Sequence, residues 1–155
     1  MAGKTDWQRE YRERFRDSGM TDFRKLKVYD KGHVMMLDAH ALAEKIKGVR
    51  HASLKNQIVR AAMSVPTNIV EGSGQRSSAD FARFLRFSLN SSSELEYHLI
   101  AARDLKALRE QQVAPVIEQV IEVRRMLYGL LRYLESSRKS RGHQPKDPAR
   151  RRSEI

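Results

Sequence analysis

The chain has 155 residues, no cysteine and a formal net charge of +11, from 30 Lys and Arg against 19 Asp and Glu. This length suits one domain with a sizeable core, and the missing cysteine excludes disulfide bonds and thiolate metal sites. No apolar run is long enough to span a bilayer, and the first residues lack the apolar region of a secretory signal, so we expect a cytoplasmic protein without membrane contact.

Residues 1–22 are polar, with positive and negative side chains evenly mixed, and we expect them to form an N-terminal arm outside the core. Trp7, Tyr11 and Phe15 recur every four residues within this arm, which would place their rings on one face of a short helix. Because an aromatic face needs a cover, we expect the arm to dock on the body of the protein or on another chain.

Four segments follow in which apolar residues recur at the three- and four-residue steps of an amphipathic helix, and none alternates with the two-residue period of a strand. The predicted helices cover about residues 23–47, 54–71, 78–106 and 113–134. Their connections are short, and short connections make successive helices antiparallel. The sequence therefore predicts the all-α class and an up-down-up-down antiparallel four-helix bundle over residues 23–137.

The first predicted helix carries more apolar surface than one side of an isolated bundle can hide. One stripe includes Val28 and Met35, and a second stripe with Tyr29 and Met36 lies directly beside it. Apolar faces that the fold leaves uncovered mark contacts with other proteins. We therefore expect this helix to contact another protein surface.

The second predicted helix contains a proline, within the stretch SVPTNIVEGSGQRSSADFARFL at residues 64–85. An interior proline removes one helical hydrogen bond and costs about 3 kcal/mol. The apolar stripe nevertheless stays in register across Pro66, so we predict one kinked but continuous helix. The glycines that follow end it, and Ser77 with Asp80 fits the cap of the third helix. The glycine-rich part is therefore a turn and not a phosphate loop, which would need a preceding strand.

Helical spacing groups several polar side chains on the facing sides of the second and third predicted helices. The chain reversal brings Arg60 level with Glu94, and Glu71 level with Arg83. We predict that these residues form cross-helix ion pairs that fix the helix register. The full predicted polar network consists of Arg60, Asn68, Glu71, Arg83 and Glu94.

The sequence predicts no catalytic or metal site. Ser91, Ser92 and Ser93 are small side chains that let helices approach closely, and no histidine and carboxylate accompany them as a serine nucleophile requires. A di-iron bundle repeats Glu-x-x-His on two helices, whereas Glu94 and His98 are four residues apart. We therefore expect no enzyme activity, no cofactor and no metal ion.

Positive charge is densest after residue 137, where seven Lys and Arg accompany two acidic residues. Residues 138–155 have no apolar face, and we expect them to form a tail that is disordered in isolation. Such a tail attracts nucleic-acid phosphates, and because aromatic stacking platforms are few we expect binding to the backbone rather than to bases. The predicted contacts are Arg124, Arg125 and Arg132 on the exposed side of the fourth helix, and Arg138, Lys139, Arg141, Lys146, Arg150, Arg151 and Arg152 in the tail.

The run NQIVRAAMSVPTNIVEGSGQRSSADFARFLRFSLNSSSELEYHL, residues 56–99, resembles a known family. It is similar to the bacterial four-helix-bundle proteins first noticed as products of intervening sequences in large-subunit ribosomal RNA genes. The resemblance covers about residues 23–135 and leaves out the arm and the tail. It implies a bundle that assembles into a homopentameric ring, without enzyme activity. Relatives include the accessory variability protein of diversity-generating retroelements, which partners a reverse transcriptase and binds nucleic acid through a basic surface.

Two functions fit the residues and the resemblance. The first is a basic homo-oligomer that binds RNA or DNA and serves as the accessory subunit of a reverse transcriptase, and the net charge of +11 favours it. The alternative is an intervening-sequence-type bundle that acts as a protein-interaction scaffold with no specific nucleic-acid role.

Overall fold

The structure is a computed structural model that describes residues 21–142, with side chains through Ser137. Four α-helices account for most of this part of the chain, together with two short 3-10 turns, and the described residues contain no strand. The predicted all-α, four-helix fold is thereby confirmed. The helices are α1 (Lys27–Ala43), α2 (Ala52–Ser73), α3 (Ser78–Asp104) and α4 (Glu110–Gly142), and the 3-10 turns are Phe23–Lys25 and Val49–His51.

Each helix packs on its neighbours in the chain, and α4 also packs on α1, so the four helices close around one core. The core follows the predicted stripes, and full burial of a side chain of this size contributes about 1.5–3 kcal/mol. Its largest fully buried members are Met35, Ile58, Ile69, Leu85, Leu95, Leu99 and Leu127. Across residues 21–142, no helix combines the length and the apolar character that crossing a bilayer demands.

α1 is shorter than the 23–47 segment predicted from its periodicity. Asp22 accepts a hydrogen bond from the Arg24 N–H at 3.1 Å and caps a 3-10 turn, and Leu26 then takes an extended conformation that separates this turn from α1. At the other end, Gly48 has a φ of +87°, which glycine adopts without the strain of a Cβ. Near the end of the predicted arm, the Thr21 N–H donates to the Ser73 carbonyl at 3.0 Å.

α2 runs without interruption through Pro66, which is buried, as the unbroken apolar stripe predicted. The cap of α3 is also confirmed. The Asp80 N–H donates to the Ser77 hydroxyl oxygen at 3.0 Å, and the Ser77 hydroxyl donates to the Asp80 carboxylate at 2.6 Å. The stretch that contains the proline and the glycines is therefore a helix, a turn and a cap.

The connection between α3 and α4 is closed by a residue in the left-handed conformation, Lys106 with a φ of +60°. The N–H groups of Ala107 and Leu108 donate to the Ala102 carbonyl at 2.9 and 3.1 Å, which satisfies the end of α3. α4 then continues to Gly142, past the boundary predicted at residue 137, so the first residues assigned to the tail have helical backbone.

Candidate nucleic-acid interface

The polar contacts between α2 and α3 are made by short neutral side chains. Fully buried Ser88 donates to the Val65 carbonyl at 2.9 Å, and the hydroxyls of Ser64 and Ser91 are 2.8 Å apart. The Asn68 amide donates to the Ser64 carbonyl at 2.8 Å and to its hydroxyl at 3.1 Å. Asn68 therefore takes part in a polar network at this contact, but its partners are serines rather than charged residues.

The two ion pairs predicted for the same contact are not formed. Arg60, Glu71, Arg83 and Glu94 are all exposed, and within the described residues no ion pair of 4.0 Å or less joins Arg60 to Glu94 or Glu71 to Arg83. Arg83 instead lies 3.9 Å from the Asp80 carboxylate on its own helix. The physical reason is rotation about the helix axes: these side chains lie at the right level but on the solvent side, where water competes for them.

Arg60 and Glu94 line an open groove of about 550 Å³ on the outer side of α2 and α3. The serine hydroxyls at this contact already donate hydrogen bonds to the backbone of their own helix, Ser91 to the Phe87 carbonyl and Ser92 to the Leu89 carbonyl. Over residues 21–142, no three His, Asp or Glu side chains are grouped so that they could hold a metal ion. The groove thus offers polar surface without an assembled reactive centre.

Arg124 was predicted to be an exposed nucleic-acid contact, and the structure corrects this. Its guanidinium is half-buried between α3 and α4 and forms an ion pair with the Glu96 carboxylate. It also donates to the hydroxyl and the carbonyl of Ser92, both at 3.3 Å. Arg124 therefore joins α4 to α3, and its charge is neutralised within the protein.

Arg125 and Arg132 have the exposure that the prediction requires. Neither lies within 4.0 Å of a carboxylate in the part of the chain that the structure describes. The segment between Glu122 and Glu135 contains no acidic residue. Those two flanking carboxylates are themselves paired, Glu122 with Lys31 at 3.0 Å and Glu135 with Arg86. The positive charges of Arg125 and Arg132 therefore face solvent without a carboxylate partner among the described residues.

Two tyrosines that the sequence analysis passed over lie among these arginines. Tyr128 is 48 % exposed and Tyr133 is 65 % exposed. Gly129 is exposed as well, with no atom within 4 Å of where a Cβ would stand. We call Arg125, Tyr128, Gly129, Arg132 and Tyr133 the α4 outer face. The sequence signal for it was the run RRMLYGLLRY, in which aromatic and basic residues alternate without a carboxylate.

The remaining predicted contacts divide at the end of α4. Arg138, Lys139 and Arg141 belong to its last turns, where the backbone is helical and the side chains are not described. Four further predicted contacts lie outside the described residues: Lys146, Arg150, Arg151 and Arg152.

The chain is thus an all-α four-helix protein with a basic, carboxylate-free surface on its last helix. It belongs to the family of 23S rRNA-intervening sequence proteins, whose model matches residues 24–129. This match confirms the resemblance that residues 56–99 indicated. A comparison with curated proteins found no match.

Among solved structures, the chain is similar to a protein with unknown function from the S23 ribosomal protein family of Bacteroides thetaiotaomicron VPI-5482, determined at 1.70 Å. The TM-score is 0.62 at 23 % identity, and the match covers 67 % of this chain and 97 % of that one. The TM-score establishes a shared fold, and at this low identity the likeness extends to the fold alone.

Proposed function

We propose that this protein is a non-enzymatic nucleic-acid-binding protein that binds the phosphate backbone along α4 and the segment after it. The observation that carries the proposal is the pair of exposed arginines, Arg125 and Arg132, on a helix segment without a carboxylate. The excess of positive charge continues along the sequence, since residues 138–155 add seven Lys and Arg against two acidic residues.

Charge pairing distinguishes Arg125 and Arg132 from several other cations of the bundle. Several cations of the bundle have a carboxylate partner within 4.0 Å, among them Lys31, Lys55, Arg86 and Arg124. Arginines without such a partner keep their charge available for phosphates. Each phosphate contact releases counterions, so binding by this surface must weaken steeply as salt rises.

The test is RNA binding by the full chain, measured by fluorescence anisotropy between 50 and 200 mM salt. The variant Arg125→Gln/Arg132→Gln should bind roughly tenfold more weakly at low salt and lower the salt slope by about 1.4 to 1.8. The matched control is Lys45→Gln/Lys47→Gln, which removes the same charge from exposed residues after α1. We expect a much smaller loss there.

Two results would count against the proposal. If the unaltered chain binds no nucleic acid at 50 mM salt, the protein is not a nucleic-acid-binding protein. If both double variants lose affinity equally, attraction comes from net charge alone and not from α4. The variant Arg150→Gln/Arg151→Gln/Arg152→Gln tests the tail in the same assay, and a role as phosphate contacts requires that it bind more weakly.

Self-association is the second part of the proposal, and the outer side of α1 supports it. Val34 is 50 % exposed and Leu37 is 51 % exposed, and exposed Ala41 continues the same side of the helix. The stripe that we expected to remain uncovered is instead packed, since Tyr29 and Met36 are partly buried against the core. Light scattering should give a mass above that of one chain, and Val34→Ser/Leu37→Ser should lower it. A monomeric mass for the unaltered chain would contradict self-association.

In its more specific form, the proposal is that the protein assembles into a homopentameric ring and acts as the accessory subunit of a reverse transcriptase. The family resemblance described above supports both statements. Co-purification with the reverse transcriptase encoded by a neighbouring gene tests that role. The other candidate is a protein-interaction scaffold, which the exposed apolar side chains of α1 favour. A scaffold would keep its protein partner when Arg125 and Arg132 are replaced.

A further inference from the structure

We propose that the α4 outer face is a base-stacking surface for single-stranded nucleic acid. This inference rests on the proposed function for its ligand class and adds the form of nucleic acid that is recognised. Phosphate contacts alone do not separate single strands from duplexes. Exposed tyrosines beside the arginines provide a contact that only unpaired, accessible bases can use.

Helical geometry arranges this face for such a contact. Arg125 and Arg132 are seven residues apart and lie on the crown of α4, with Gly129 between them. Tyr128 flanks this line on one side and Tyr133 on the other. The face spans about 12 Å along the helix at 1.5 Å per residue, and a Cβ at Gly129, near its centre, would have open space around it. The middle of the face is therefore not filled by a side chain at position 129.

Neither ring is committed to the bundle. Within the described residues, the side chains of Tyr128 and Tyr133 make no hydrogen bond, no ring stacking and no cation–π contact. Other rings of this protein do have partners, such as Phe84, which lies 5.9 Å from Phe87 and 5.5 Å from the guanidinium of Arg83. Free aromatic rings beside free arginines are the combination from which single-strand grooves are built.

Charge identifies the occupant of this face. Its two arginines lack carboxylate partners, and a second copy of this chain would bring a net charge of +11 toward them. The exposed apolar residues Val34 and Leu37 lie on α1 instead and suit a protein contact. A polyanion with accessible bases matches both the charge and the rings of the α4 outer face.

α3 supplies a matched control. Tyr97 is 65 % exposed, the same fraction as Tyr133, but it lies three residues after Glu94, an exposed carboxylate with no ion-pair partner within the described residues. Carboxylates repel phosphates, so this ring should not stack on nucleic-acid bases. Replacing Tyr97 therefore removes an equally exposed ring outside the proposed surface.

The experiment measures binding of the full chain to a mixed-sequence 20-nucleotide single strand and to the duplex of the same sequence. Tyr128→Leu/Tyr133→Leu should weaken single-strand binding about tenfold or more, since each stacked base contributes on that scale or above. Duplex binding should change less than about twofold, and the salt slope should not change, because no phosphate contact is removed. Tyr97→Leu should bind like the unaltered chain, and Tyr128→Phe/Tyr133→Phe should keep the affinity. RNA and DNA versions of the strand distinguish the two sources of bases.

The other outcomes contradict the stacking surface alone, or both the stacking surface and the proposed function. If the leucine variant, shown to be folded by its thermal unfolding, binds the single strand normally, the stacking surface is refuted. Equal losses on single strand and duplex refute it too. If the unaltered chain binds both forms equally while Arg125→Gln/Arg132→Gln weakens both, the proposed function stands and the stacking surface falls. If the unaltered chain binds no nucleic acid, both fall.

Discussion

α3 makes two helix contacts that are built from opposite kinds of side chain. Toward α2 it presents Ser88 and Ser91, whose hydroxyls reach a carbonyl and another serine at 2.8 to 2.9 Å. Toward α4 it presents Glu96 and Arg86, which form ion pairs with Arg124 and Glu135. The polar side chains between α2 and α3 are short, neutral and buried, whereas those between α3 and α4 are long, charged and partly exposed.

The two contacts should therefore respond differently to mutation and to salt. Short side chains hold two helices close, so any added atom must displace a neighbour, while salt has little effect. Long charged side chains adapt to a changed neighbour, but their attraction is screened by salt. On the outer side of α4, Arg125 and Arg132 lack a carboxylate partner within the described residues, and Tyr128 and Tyr133 are exposed.

The largest expected effect is at the neutral contact, where Gly72→Ala should lower the free energy of unfolding by up to about 3 kcal/mol. A Cβ at this position would lie 2.8 Å from the Cβ of Phe84 and 2.8 Å from a ring carbon of Phe81. Urea denaturation measures the change. The control is Gly32→Ala, another buried helical glycine, where the nearest atom is the Ile69 Cδ1 at an ordinary 3.6 Å. We expect the control to be neutral or more stable by about 0.5–1 kcal/mol, and the comparison fails if both variants behave alike.

At the charged contact, Arg124→Met should cost about 2 kcal/mol, because it leaves the half-buried Glu96 carboxylate without its cation. Replacing both partners, Arg124→Met/Glu96→Met, should recover most of that loss. Thermal unfolding of Arg124→Met, Glu96→Met and the double variant gives the coupling energy of the pair. Additive losses would show that the ion pair does not join the helices.

Ser88→Ala should lower stability by about 1 kcal/mol, because the buried hydroxyl that donates to the Val65 carbonyl is removed. The loss should be the same at 50 and 500 mM salt, since no charge takes part. Ser93→Ala is the matched control, an exposed serine on the same helix, and it should change little. A strong salt dependence for Ser88→Ala would contradict the division between neutral and charged contacts.

The smallest effect should come from Lys31→Gln, which breaks an ion pair between α1 and α4 in which both side chains are more than half exposed. We expect a change within about 0.5 kcal/mol at low salt and none at high salt. Urea denaturation at the two salt concentrations checks this. A loss as large as that of Arg124→Met would mean that exposure does not distinguish the pairs.

Features that depend on local pattern were predictable from the sequence. The continuous helix across Pro66 and the Ser77 cap each follow from a few neighbouring residues, and both predictions are confirmed. Rotation about a helix axis is different, because it depends on how four helices settle together. The sequence placed Arg60 level with Glu94 but could not show that both point to solvent, and it could not separate half-buried Arg124 from exposed Arg125. The rings of the α4 outer face were visible in the sequence, and only their exposure was missing.

The two ends of the bundle carry different parts of the chain. The Thr21 N–H bonds to the end of α2, and the ion pair of Arg86 with Glu135 places the last part of α4 beside the start of α3. The described chain therefore enters and leaves at one end of the bundle, while residues 44–51 and 105–109 turn at the other end, about 40 Å away along α3. A dye or a surface tether attached at Lys106 would orient every molecule in the same way, with the end of α4 facing outward.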